Sequence, residues 1–220
     1  MNTFATPAPI AAVLNVPAGR IQVIAADRAD TTVEIRPFNA SKSRDAKAAE
    51  QTAVDYADGV LRIDVPVKNQ YVGPSGAIEV TVRLPAGSRI EMKAAASELR
   101  AVGRLGDVAV EGAYRQIKID EAAGVRLAAV DGDVEIGRLT GDADVSTTRG
   151  DITVAEAGRG TVVLGTQSGD ITVAAAAGVS GSLDARTSYG RIDNSLKNDG
   201  TIGLDIRATT MQGDITARSL

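Results

Sequence analysis

A Gly-Asp dipeptide followed by an alternating β-branched run recurs through the second half of this chain. It stands at Gly132-Asp133-Val134-Glu135-Ile136, Gly150-Asp151-Ile152-Thr153-Val154, Gly169-Asp170-Ile171-Thr172-Val173 and Gly213-Asp214-Ile215-Thr216-Ala217, with an altered copy at Gly190-Arg191-Ile192-Asp193. In chain order the glycines step by 18, 19, 21 and 23 residues, an interval that marks solenoids and arrays. A weaker phrase precedes three of the copies, at 141–149, 160–168 and 181–189. It alternates small or apolar residues with polar ones and carries a Thr shortly before the next Gly. Each unit therefore holds two short strands and two turns. Two strands cannot bury an apolar face alone, but units stacked on one another build a continuous core.

The alternation assigns the faces, because side chains two apart on a strand share a side. Val134 and Ile136, Ile152 and Val154, and Ile171 and Val173 fall inward, with Val125, Leu127, Val145, Leu164, Leu183, Leu204, Ile206 and Ile215 continuing the set. Glu135, Thr153 and Thr172 fall outward. Gly106-Asp107-Val108-Ala109-Val110 is a further copy, and Gln116-Ile117-Lys118-Ile119 looks like one without its Gly-Asp. Earlier still, Val16-Pro17-Ala18-Gly19 is echoed by Leu84-Pro85-Ala86-Gly87, a strand running into a turn that Pro and Gly both favour. The expected fold is all-β: a single-domain parallel β-solenoid, or β-helix, of about 20 residues per coil, right-handed by the chirality of parallel crossovers.

Residues 1–36 would form the first coils and 77–220 the regular ones. The stretch 37–76 breaks the grammar and reads as an irregular N-terminal insertion or cap. Within it Ser41 to Gln51 is a helix candidate with Ser caps and Ala, Lys and Glu as helix formers. Ala57-Asp58-Gly59 between two alternating runs signals a hairpin.

Several chemistries are closed to this composition. The chain of 220 residues has no His and no Cys. Ser-His-Asp catalysis, HExxH zinc sites, thiol nucleophiles, zinc knuckles and disulfides are therefore excluded. Only 3% of residues are aromatic, so the core must be built from Val, Ile, Leu and Ala. A net charge of −4 without a basic cluster speaks against nucleic acid as a partner. No apolar stretch approaches the roughly 18–20 residues of a membrane span, so no membrane insertion is expected. No Lys or Arg precedes Arg20 and no strong apolar signal core follows. This reads as a cytoplasmic chain, or one of the cell surface if a leader was removed.

Several stretches, taken in order, resemble a known family. They are Val16-Pro17-Ala18-Gly19, Ala48-Ala49-Glu50-Gln51-Thr52, Leu84-Pro85-Ala86-Gly87-Ser88, Gly103-Arg104-Leu105-Gly106-Asp107, the repeated Gly-Asp-Ile/Val phrase, and Leu183 to Leu196 ending in Gly190-Arg191-Ile192-Asp193-Asn194-Ser195-Leu196. Their succession resembles the bacterial β-strand-repeat family DUF4097, in its actinobacterial form. The resemblance implies a parallel β-solenoid with an adhesin-like, surface-binding role, and brings no catalytic residues.

Three sets of side chains are candidates for function. The first is an acidic column, Asp107, Asp133, Asp151, Asp170 and Asp214, stacked about 5 Å apart if the coils are in register. Such a column could hold Ca²⁺ or act on a polysaccharide. Its alternative is turn chemistry, in which each Asp accepts bonds from nearby backbone N–H groups. The Gly-Gly-x-Gly-x-Asp pattern of Ca²⁺-binding coils is missing, and no cofactor or metal is expected. The second set is an outward Thr row, Thr153, Thr172 and Thr216, with Thr148, Thr166 and Thr187 nearby, facing a glycan or another regular surface. The third is Arg149, Arg186 and Arg191, read as counter-charges to the Asp column. Tyr71, in a Gly/Pro-rich loop, is the aromatic to test for binding. The expected function is non-enzymatic: an adhesin-like binding or scaffold protein for an unknown protein or glycan surface. The rivals are a polysaccharide-acting β-helix enzyme using clustered Asp carboxylates, and a protein that self-associates through its end coils.

Overall fold

A computed structural model describes residues 1–66, 76–112 and 115–220. The chain divides into two compact units, Met1–Arg115 and Gln116–Leu220. Unit 1 contains β1 (Asn2–Ala5), β2 (Ala11–Asn15), β3 (Ala18–Ala26), β4 (Asp30–Pro37), α1 (Ser43–Gln51), β5 (Ala53–Ala57), β6 (Val60–Asp64), β7 (Ile78–Pro85), β8 (Arg89–Lys93) and β9 (Ala96–Glu111). These strands form two ladders. One runs β5–β6–β2–β8 and continues onto the end of β9; the other runs β1–β4–β7–β3 and continues onto the start of β9. The strands from β6 to β9 in the first ladder, and from β7 to β9 in the second, pair in parallel. The β5–β6, β1–β4 and β4–β7 pairs are antiparallel. Alternating residues such as Leu14, Ile21, Val23, Leu61, Ile63, Val80, Val82 and Ile90 are buried between the ladders.

The irregular segment folds for local reasons. Asp58 and Gly59 take φ values of 50° and 77°, the left-handed pair that a two-residue hairpin needs. Strand β6 then joins the parallel ladder beside β2. The helix forms over Ser43–Gln51 and packs on β4 and β7. The expected Ser cap is not made: Lys42 occupies the N-cap without a side-chain bond, and Ser41 instead donates to the Asn39 carboxamide. Helix and strand are tied by Asp45, whose buried carboxylate accepts the Ala77 N–H at 3.1 Å. The two Pro-Ala-Gly turns fall at different corners, one joining β2 to β3 and the other β7 to β8.

Unit 2 contains β10 (Ile117–Ala128), β11 (Val134–Leu139), β12 (Ala143–Arg149), β13 (Ile152–Ala157), β14 (Gly160–Ser168), β15 (Ile171–Ala175), β16 (Gly181–Tyr189), β17 (Ile192–Ser195), β18 (Leu204–Gln212) and β19 (Ile215–Ser219). Every pair among them in the two ladders is parallel. The first ladder is β10–β11–β13–β15–β19–β17; the second is β10–β12–β14–β18–β16. Val134, Ile152, Ile171 and Ile215 stand in one register column and are at most 1% exposed. The inward set read from the alternation is buried throughout, except for half-buried Leu183.

The coils are not stacked in chain order. Strands β18 and β19 lie between the coil made by β14 and β15 and the coil made by β16 and β17. The first strands of unit 1 behave alike: β2 sits between β6 and β8, and β3 between β7 and β9. A repeat read from sequence carries no instruction about this order, since every copy offers the same pairing groups.

Candidate functional site

The repeated phrase builds one corner of unit 2. Gly132, Gly150, Gly169, Gly213 and Gly190 follow one another up this corner, each at positive φ. The N–H of each of the first four bonds the strand end of the neighbouring coil, as Gly150 does to Ser168 O at 2.9 Å and Gly213 to Tyr189 O at 3.0 Å. A Cβ at Gly169 would lie 2.1 Å from the Gly150 carbonyl oxygen, and one at Gly213 would lie 2.0 Å from that of Gly169. The glycines are therefore needed for close approach of backbone to backbone as well as for φ.

The aspartates that follow form a ladder of their own. Asp133 Oδ1 accepts the Asp151 N–H at 2.9 Å, Asp151 Oδ1 the Asp170 N–H at 2.8 Å, and Asp170 Oδ1 the Asp214 N–H at 2.7 Å. Asp214 Oδ1 then accepts the Arg191 N–H at 2.8 Å. Each carboxylate thus satisfies a backbone donor that the turn would leave without a ladder partner. At the last coil the motif changes to Gly-Arg, and the Arg191 guanidinium reaches back to Asp214 Oδ2 at 3.0 Å. The Arg191 backbone N–H first, and its guanidinium second, hold the Asp214 carboxyl below its ordinary value. The altered copy is the end of the ladder.

A third column completes the corner: a Thr three residues before every one of these glycines except Gly132, where Ala129 stands. Thr166 Oγ1 donates to Gly150 O at 3.2 Å, Thr210 to Gly169 O at 3.1 Å and Thr187 to Gly213 O at 3.0 Å. Thr147 bonds Arg149 O instead, at 3.1 Å. Thr166 and Thr187, expected near the outward row, therefore belong to the inner corner, and Thr166 is buried. Their sequence signal was the Thr-x-x-Gly-Asp spacing, which recurs at 147, 166 and 210.

The outward Thr row is in register. Thr153 pairs with Thr172 and Thr172 with Thr216 in adjacent strands, flanked by Glu135 on one side and Asp193 on the other. Asp107 lies in unit 1, on β9, and its carboxylate faces Arg89 at 3.6 Å; the ladder of four aspartates lies wholly in unit 2. Of the three arginines, only Arg191 binds a member of the Asp column. Arg149 pairs with Asp131 at 2.7 Å, and Arg186 with Asp184 at 3.5 Å. Tyr71 and Tyr114 lie outside the described residues.

Carboxylates do not converge here. Among the described residues, no group of three or more Asp or Glu side chains is placed to share a metal ion. A shallow recess of about 330 Å³ is lined by Arg138, Thr140, Glu156 and Arg159, but Arg138 is bonded to Glu156 at 3.1 Å and Arg159 donates to the Thr140 carbonyl. Among the described residues no helix is long and apolar enough to cross a membrane.

Comparison with solved structures returns a candidate adhesin from Bacteroides fragilis, at a TM-score of 0.49 and 12% identity over 98% of this chain and 95% of that one. It also returns a candidate cell adhesion protein from Clostridium sporogenes, at 0.44 and 13% over 100% and 98%. No curated protein matches the sequence significantly. The family described as Toastrack DUF4097 matches residues 13–219, and the chain belongs to that family.

Proposed function

We propose that this chain is a non-enzymatic, adhesin-like binding scaffold that presents a repetitive β surface to a protein or glycan. One observation carries the reading: the repeat spends its carboxylates on backbone N–H groups of the next coil. Chemistry on a polysaccharide needs paired carboxylates facing a common substrate, whereas evenly spaced aspartates bound into turns maintain coil register. What the coils then offer outward is the in-register row Thr153, Thr172 and Thr216, spaced by the strand separation of about 4.8 Å.

The test combines binding and turnover. Purified protein is incubated with insoluble cell-wall glycan and with isolated surface proteins, beside the triple variant T153K/T172K/T216K. Retention on one of these surfaces, reduced roughly tenfold by the triple variant at unchanged thermal stability, is the expected result. Release of new reducing ends from the glycan would establish an enzyme instead, and retention indifferent to the three substitutions would remove the Thr face from the proposal. Cell fractionation in parallel separates the cytoplasmic location expected from the sequence from the cell-surface location an adhesin needs.

A further inference from the structure

The coil at one end of unit 2 is built to be covered. Strand β16 pairs only with β18, and β17 only with β19, among the described strands. At nine residues β16 is a long edge. The side chains at this end fill inward positions without the burial that goes with them. Ile192 occupies the register column of Ile215 yet is 47% exposed, against 1% for Ile215. Leu183 is only half-buried, although its register partner Ile206 is fully buried. Tyr189, at 76%, projects beside them. The terminal strands of unit 1 are treated differently: β1 and β5 are four and five residues long, and Phe4 from one meets Tyr56 from the other at 5.4 Å. Short edges and a filled core end are ways of blunting an edge; β16 has neither.

The hydrogen-bond phase of the edge is readable. Leu204 stands opposite Gly181, and its N–H bonds Ser180 O at 3.2 Å. In a parallel ladder alternate residues turn both backbone groups to the same neighbour, so Ser182, Asp184 and Arg186 face β18. Leu183, Ala185 and Thr187 face away, and the N–H of Gly181 on that same side is already taken by Lys197 O. Three consecutive outward-facing residues thus present open donors and acceptors.

We infer that a second copy of this chain docks on that edge, β16 against β16 in antiparallel fashion about a two-fold axis at Ala185. The pairing is self-complementary at every level the strand offers. Ala185 opposes Ala185 of the other copy as a hydrogen-bonded pair, and Leu183 opposes Thr187 on the inward face, giving about six new backbone bonds in all. Between them Asp184 falls opposite Arg186, and Arg186 opposite Asp184, at the non-hydrogen-bonded positions where side chains stand closest. Within one copy these two exposed side chains have only each other, at 3.5 Å. Docking covers the exposed apolar positions and makes the contact isologous, as a closed dimer requires. This inference is independent of the Thr-row reading.

Charge reversal tests it without touching the core, because both side chains are more than half exposed. Sedimentation of the wild-type chain across a concentration series should show a species of twice the 22.6 kDa chain mass. D184R places Arg opposite Arg, and R186D places Asp opposite Asp, so each variant alone should sediment as monomer with an unchanged unfolding midpoint. Mixing the two variants, or combining D184R and R186D in one chain, restores opposite charges and should restore the doubled mass. A wild-type chain that stays monomeric throughout overturns the inference. So does a dimer that both single variants retain, or a wild-type chain whose edge is filled by a co-purifying extended peptide of another protein.

Discussion

Replacing Gly169 by Ala tests the physical argument for the corner. The residue sits at φ +151°, and an added methyl would lie 2.1 Å from the Gly150 carbonyl oxygen and 2.5 Å from its carbon. Both atoms are backbone, so relief requires the two coils to separate. Separation loosens the Gly150 N–H bond to Ser168 O and the Asp170 N–H bond to Asp151 Oδ1, at 2.9 Å and 2.8 Å. Bonds of this kind contribute about 0.5–1.5 kcal/mol each, more to a charged acceptor, and the disfavoured φ adds about 1–3 kcal/mol. The expected loss is about 3–5 kcal/mol, among the larger single-site effects. At about 2–4 °C per kcal/mol for a chain of this size, the midpoint should fall by on the order of 10 °C. Two controls separate the contributions. Gly178 has φ +78° with open space around it, so G178A reads the conformational cost alone; Gly165 has neither a positive φ nor a neighbour within 4 Å, so G165A should be near neutral. Urea unfolding of the three variants, with amide exchange at Ile171–Val173 reporting on unit 2, makes the comparison. A G169A chain no less stable than G178A would refute the close-approach argument.

Other positions give narrower tests. Asp170→Ala removes the charged acceptor for the Asp214 N–H and should cost about 1.5–3 kcal/mol in urea unfolding, while Asp170→Asn, which keeps a neutral oxygen there, should recover part of it. Thr210→Val deletes the buried hydroxyl bonded to Gly169 O and should cost about 1–2 kcal/mol with no change in strand content by circular dichroism. Acid should weaken the fold through Asp214, whose folded value is depressed by the Arg191 N–H and guanidinium. The stabilisation is complete above the unfolded value near 3.8 and is lost as pH falls through the folded one. Urea midpoints below about pH 4 should therefore fall less steeply in Asp214→Asn than in wild type, with Asp30 and Asp199, also depressed, supplying the remaining slope.

The alternation of apolar residues made most of unit 2 legible, because a parallel coil buries every second side chain and Val, Ile and Leu mark those places directly. The register column through Val134, Ile152, Ile171 and Ile215 follows from spacing alone. The candidate site was legible in kind, since Gly followed by Asp at the head of a strand is turn chemistry. Its partners were less so. Thr166 and Thr210 were readable as β-formers on either face, and only the corner geometry shows that they bond the glycine carbonyls. Unit 1 was harder to read because its antiparallel pairs, β1–β4–β7 and β5–β6, carry the same alternation as parallel ones. The order of the coils was not legible, because Leu204 offers Gly160 and Gly181 the same pairing groups that they could offer each other.

That hidden order explains the two irregularities that the repeat did show. The longest steps, 21 and 23 residues, lead into Gly190 and Gly213, the two corners whose spatial order is exchanged. The chain passes over the vacant coil position to make β16 and β17, then returns through 196–203 to fill it with β18 and β19. The altered dipeptide Gly190-Arg191 lies in mid-sequence but at the end of the stack. An Asp at that place would find no further coil to supply an N–H, and would add a second negative charge beside Asp214. Arg191 instead donates its backbone N–H to Asp214 like the members before it, and turns its side chain back to neutralise the last carboxylate. Loss of the motif is thus a property of position in the stack. The same end coil keeps the open β16 edge and the uncovered Ile192, so the place where the repeat stops is also the surface most suited to meeting another copy.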